Sequence, residues 1–106
     1  MKDILHAIAC SKYMKGLSDP ERLRIVQCLR AGPMNVGEIT EALQEKLPNV
    51  SHHLRVLKHT GIVCDRKDGK FVVYSLNPEI FKPDDKGRLP EILEFGCCRV
   101  ELGKKR

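Results

Sequence analysis

The sequence contains no Trp, only two Tyr and three Phe among its 106 residues. So sparse an aromatic supply argues against a deep aromatic-lined ligand pocket. No apolar run approaches the length that spans a bilayer, and the opening MKDILHAIACSK places Asp3 and His6 inside any signal-like core. A cytoplasmic protein without membrane association is the expectation. Also missing are a Ser/His/Asp arrangement, a Gly-rich phosphate loop and an HExxH element, so no enzyme is expected. The five cysteines, Cys10, Cys28, Cys64, Cys97 and Cys98, lack framework spacing. They suit a reducing compartment better than a disulfide scaffold. Negative charge is the scarcer sign: 14 Asp and Glu against 19 Lys and Arg leave a net charge of +5. That excess favours a polyanionic partner without making the chain disordered.

A chain of this length builds one core. Residues 2 to 15 can form a helix with Ile4, Leu5, Ile8 and Ala9 on one side. In LSDPERLRIVQCLRAGP, Ser18 and Glu21 fit a capping box, Pro20 sits in the first turn, and Gly32-Pro33 stops the helix. Leu23, Ile25, Val26 and Leu29 supply its buried side. Asn35 and Glu38 stand in the same capping relation before Val36, Ile39 and Leu43. A further helix follows Pro48 and stops at Gly61. From Ile62 the period changes to two β-rich runs joined by Asp68-Gly69, which suits a two-residue hairpin turn. Three helices, a fourth that is polar on one side, then a hairpin is the order of a winged helix-turn-helix. The fold class is therefore mainly α with a small β-hairpin wing (α+β).

The stretch LPNVSHHLRVLKHTGIV carries the most information. At about 100° per residue, Val50, Leu54 and Leu57 form one apolar stripe. Ser51, His52, Arg55 and His59 fall on the other side, and His53 lies at the stripe's margin. Adjacent side chains diverge by about 100°, so His52 and His53 do not face one target. His53 reads as a packing residue with a local hydrogen bond. Ser51, His52 and Arg55 read as either a solvated face or a DNA-reading face. Charge tips that balance. From Ala42 to Lys70, Lys46, Arg55, Lys58, Arg66, Lys67 and Lys70 outnumber Glu45, Asp65 and Asp68. Arg66, Lys67 and Lys70 sit where a wing would meet the neighbouring groove or backbone.

LSDPERLRIVQCLRAG, VGEITEAL, NVSHHLRVLKHTGIV and DRKDGKFVVYSLNP together resemble the ArsR/SmtB family of bacterial transcriptional repressors. The resemblance implies a winged-helix homodimer on double-stranded DNA, bound to an inverted-repeat operator and commonly released when a ligand or oxidant acts on the protein. It implies a supporting helix over residues 35 to 44 and a recognition helix over 48 to 60. It also puts Ser51 and His52 on base- and phosphate-contacting positions. Just before them the chain departs from the family, with Leu47 and Pro48 where polar residues are usual, and Asn49 is placed to substitute. Residues 1–80 make up the DNA-binding domain on this reading. Residues 81–106 form a tail, with a candidate extra strand, that serves packing or dimer contacts alongside Ile4, Leu5 and Ile8.

Family sensors of thiophilic metals often carry a Cys-x-Cys element at the supporting helix, but PMNVGEIT has neither Cys nor His. Zinc and nickel sensors often use His on a final helix, and no histidine follows His59. LEFGCCRVEL remains. Its thiolates would suit a thiophilic metal or metalloid ion such as As(III), Cu(I), Cd or Zn, making Cys97 and Cys98 the candidate metal or thiol-sensing residues. From Cys98 onward the residues alternate as in a strand, which turns Cys97 and Cys98 to opposite faces. The alternatives are inward packing of Cys98 with Cys97 incidental, or a third thiolate from Cys10 of the partner subunit. Cys10, Cys28 and Cys64 are expected to fill core or interface space. A different class of function, a winged-helix module that docks on protein without binding an operator, is the alternative to a DNA-binding regulator.

Overall fold

Apolar residues at helical spacing bring the helices onto a single core, and a strand-period run closes it from one side. A computed structural model describes the backbone of residues 2–81, 92–94 and 99–101, and side chains from residue 7 to 81. The order is α1 (Lys2–Leu17), α2 (Pro20–Leu29), β1 (Met34–Asn35), α3 (Val36–Leu43), α4 (Leu47–His59), β2 (Val63–Asp68), β3 (Phe71–Leu76), β4 (Ile92–Glu94) and β5 (Arg99–Glu101). Ile25, Val26 and Leu29 of α2 meet Ile39 and Leu43 of α3 and Val50, Leu54 and Leu57 of α4 in one buried cluster. Leu23, expected on the same side of α2, is 37% exposed. It lies about 160° from Ile25 at the helical period, so the two cannot share a buried face.

The helix ends show how local chemistry sets these elements. At α2 the cap is Asp19, whose carboxylate accepts the Glu21 N–H at 2.8 Å. The expected Ser18–Glu21 box does not form. Helix α1 runs two residues further than its apolar pattern, to Leu17, and the Ser18 hydroxyl is turned back to donate to the Lys15 carbonyl at 2.9 Å. At α3 the Asn35–Glu38 box is present in both directions, each bond 2.9 Å. Helix α4 ends as its glycine implied. Gly61 has φ +83°, its N–H reaches the Lys58 carbonyl at 3.0 Å, and the Ile62 N–H reaches Leu57 at 2.9 Å. Those are the paired bonds of a Schellman closure.

The wing is a three-stranded antiparallel sheet in the order β1-β3-β2. The two-residue β1, Met34–Asn35, was not foreseen, being too short to show an alternating pattern. The turn is displaced by one residue from expectation. Asp68 pairs with Phe71, so Gly69 and Lys70 form the loop. Gly69 has φ +64° and Lys70 does not have a positive φ. That fits a turn with Gly at its first central position, whereas Asp68-Gly69 would need positive φ at both. In the tail, the single expected strand is two short ones: β4 and β5 pair with each other from Ile92↔Glu101 to Glu94↔Arg99.

Candidate nucleic-acid interface

Helix α4 follows α3 across three residues, Gln44 to Lys46. Gln44 turns the chain in the left-handed region, φ 52° and ψ 43°. This is a helix-turn-helix, and α4 begins at Leu47, one residue before the expected 48–60 helix. With Val50, Leu54 and Leu57 buried, the opposite side carries exposed Asn49, His52, Arg55, Lys58 and His59, with Ser51 half-buried. The first turn of α4 contains no acidic residue, and its Lys46 cap makes no side-chain bond. Pro48 has no N–H, and the N–H groups of Asn49 and Val50 already donate to the Lys46 carbonyl at 3.1 Å, so what this end offers an anion is mainly its positive dipole, with no acidic side chain over it.

The two histidines have separate environments. Their ring centroids lie 5.4 Å apart with planes tilted by 56°. His53 is only 14% exposed; Arg22 Nη1 donates to its Nδ1 at 3.2 Å, and its Nε2 stands 3.8 Å from Asp19. It therefore locks α4 to α2, as a packing residue would. The same Arg22 donates through Nε to the Gly16 carbonyl at 2.7 Å and through Nη2 to Lys15 at 3.3 Å, closing the end of α1. His52 remains outside this network. Among the described residues no group of three or more His, Cys, Asp or Glu could hold a metal ion.

Lys58 is engaged, unlike Arg55. Its ammonium meets Asp65 of β2 at 2.9 Å, tying the C-terminal half of α4 to the wing. The hydrogen bond and charge of Asp65 raise the Lys58 pKa above its ordinary value. On the wing, Arg66, Lys67 and Lys70 are all exposed. Strand alternation sends Arg66 and Lys67 to opposite faces, Lys67 on that of Asp65, so they do not meet one surface together. Lys70, in the turn, lies over the Phe71 ring at 5.7 Å from its centroid. No ion pair holds His52, Arg55, Arg66, Lys67 or Lys70 among the described residues.

Two basic residues of α1 were not singled out in the sequence. Lys12 and Lys15 line a cleft against Val56 and His59 of α4 and Thr60 at its C-terminal cap, which puts two further cations beside that helix. Their spacing of three on a helix was the available signal. Cys97 and Cys98 lie outside the described residues. Cys28 is half-buried against the core with a free thiol, as expected. Cys64, expected in core or interface space, is free and exposed and so lies outside the core, because β2 turns it away from the helices after buried Val63. Cys10 is disulfide-bonded.

A helix-turn-helix domain model matches residues 17–64. The transcriptional repressor SdpR of Bacillus subtilis is 38% identical over 72 residues, covering 68% of this chain and 80% of that protein. An arsenical resistance operon repressor of Staphylococcus xylosus is 38% identical over 98 residues, covering 83% of this chain and 94% of that one. Matches to other curated relatives cover 52% to 60% of those proteins' length. Among solved structures, the homodimeric winged helix-turn-helix DNA-binding domain of a possible ArsR-family regulator from Mycobacterium bovis superposes with a TM-score of 0.66. It is 29% identical, and the match covers 69% of this chain and 68% of that one. A four-helix core with a β-hairpin wing, an open cationic face on α4 and relatives of nearly the same length agree: the chain belongs to the ArsR/SmtB family of winged helix-turn-helix transcriptional regulators.

Proposed function

We propose that the protein is a homodimeric, non-enzymatic cytoplasmic repressor that binds an inverted-repeat operator through α4 and the wing. The observation that carries this is the exposed edge of α4: His52 and Arg55 face away from the core, unpaired among the described residues, on a helix whose first turn has no acid. Arg55 can grip guanine O6 and N7 or a phosphate, while Asn49, Ser51 and His52 reach base edges or backbone. Lys58 acts from beside Asp65, Lys67 and Lys70 add backbone contacts from the wing, and Arg66, on the other face of β2, adds to the long-range positive field. Residues 1–80 supply this reading unit and 81–106 the tail. Ile8 on α1 is 60% exposed, which supports a dimer contact through that helix. Family membership weighs against a docking module that does not bind an operator.

Release by a thiophilic metal, a metalloid or an oxidant at Cys97 and Cys98 completes the reading. The Staphylococcus xylosus relative is an arsenical resistance repressor, which supports thiol chemistry. Gel shifts on a selected operator test the whole. Arg55→Ala and His52→Ala should lower operator affinity with unchanged circular dichroism, whereas Lys67→Ala should weaken all sequences alike and reduce the salt dependence. Unchanged affinity in the first two removes α4 from the account. Titration of the complex with As(III), Zn(II) and peroxide, beside a Cys97→Ser/Cys98→Ser variant, tests release. Equal release by the variant sinks the thiol role.

A further inference from the structure

Leu47 is the first residue of α4 and is 51% exposed, while the other leucines of that helix, Leu54 and Leu57, are buried. Ser51 and Arg55 follow it at intervals of four. Each interval advances the direction by only about 40°, so the three form one ridge that starts beside the buried stripe at Leu47, about 20° from Leu54, and climbs to the solvent side at Arg55. The residues at the start of a recognition helix are the ones that reach base edges. Leucine has no donor or acceptor to offer there. Its neighbours Lys46, Pro48 and Asn49 are exposed as well, and about half of the Leu47 surface is left open.

In the major groove the four base-pair orientations differ in donors and acceptors, and one apolar group stands out: the 5-methyl of thymine. We infer that Leu47 is a specificity-determining residue that packs on a thymine methyl, next to the bases that Ser51 and Arg55 address. This rests on the operator-binding reading above. A leucine and a methyl group exclude water from each other, whereas a leucine against the C4 amino group of cytosine would strip that donor of its water without replacing the bond. The contact therefore favours thymine and disfavours cytosine at one position in each half-site.

The test begins with selection of preferred sites for the wild-type protein from a randomised duplex library. Each thymine of the selected site is then replaced singly by deoxyuridine, which deletes the methyl and keeps the pairing. One symmetry-related thymine per half-site should lose about fourfold in affinity on replacement, the factor expected for one buried methyl. Leu47→Ala should bind the thymine and uracil sites equally. Leu47→Gln should shift the selected base toward adenine, whose N6 and N7 a glutamine engages in pairs. Exposed Leu47 can be changed without opening the core, and circular dichroism confirms it. Tight, sequence-specific binding that tolerates uracil at every position overturns the role of Leu47 alone. So does an equal loss on uracil replacement in Leu47→Ala. Failure of the wild-type protein to select any sequence overturns the operator-binding reading, and this inference with it.

Discussion

Gly16 is where the end of α1 meets the end of α4. A methyl group there would come within 2.8 Å of Thr60 Oγ1 and 2.9 Å of Ile62 Cδ1. Neither neighbour yields readily, since the Thr60 hydroxyl donates to the Leu57 carbonyl at 3.1 Å and Ile62 is buried. Gly16→Ala should therefore destabilise by about 1–3 kcal/mol despite alanine's better helix propensity. Urea denaturation should show the loss in midpoint with an unchanged slope. Asp19 offers a second residue-level test. The Glu21 N–H bond holds its carboxyl below the ordinary 3.8, with further lowering by His53 and Arg22 against an opposing effect of burial. A depressed carboxylate pKa stabilises the fold above the unfolded value and ceases to do so as pH falls through the folded one. Thermal melts should thus fall as pH drops below 3.8, and Asp19→Asn, which keeps a capping oxygen, should flatten that acid limb. Single residues were legible in the sequence where periodicity alone places them. The separation of His52 from His53 follows from 100° per residue. What His53 bonds to did not, because Arg22 reaches it from another helix 31 positions away.

At the level of elements, the turn between α3 and α4 contains a conflict between sequence and geometry. Gln44 occupies the left-handed slot of a Schellman closure, with its own N–H on Glu41 at 3.2 Å and the Glu45 N–H on Thr40 at 3.3 Å. A side chain there costs about 1–2 kcal/mol, part of which glycine would return as lost chain entropy. Gln44→Gly should accordingly stabilise by about 0.5–1 kcal/mol, raising Tm by about 2–5 °C in calorimetry without altering DNA affinity. The element boundaries explain what a sequence reveals and what it withholds. Asn35 and Glu38 could be read as a box because nothing competes for Asn35. Ser18 and Asp19 both cap well in principle, and the choice fell to Asp19 once α1 extended to Leu17 and claimed the Ser18 hydroxyl. The hairpin was legible as a hairpin, but its turn was not, since Asp68-Gly69 and Gly69-Lys70 each contain the required glycine. Pairing of Met34 and Asn35 with β3 depends on a contact some 40 residues away in sequence, which no local pattern carries.

Across the whole molecule, the candidate site was legible as a surplus of positive charge between Ala42 and Lys70, but charge counts do not say which cations are spoken for. The fold brings Asp65 against Lys58 at 2.9 Å, and thereby neutralises one of the six Lys and Arg between Ala42 and Lys70. Both partners are partly solvent-exposed, 55% for Lys58 and 26% for Asp65, so the pair adds little stability and its main effect is on the field facing the duplex. Removing the carboxylate should then strengthen DNA binding. In Asp65→Asn the amide can still accept from Lys58, but the face gains a full unit of positive charge. Lys58 becomes free to displace a counterion from a phosphate. Affinity for random duplex should rise, and the slope of log K against log salt should steepen by up to about 0.9, the value of one additional phosphate contact. Lys58→Ala in the wild-type background should change that slope by less than Arg55→Ala, because an ammonium already paired releases fewer counterions. Fluorescence anisotropy across a salt series measures all three variants. A slope that stays the same in Asp65→Asn would mean that Lys58 points away from the backbone, leaving Arg55 and the wing to carry the electrostatic part of the contact.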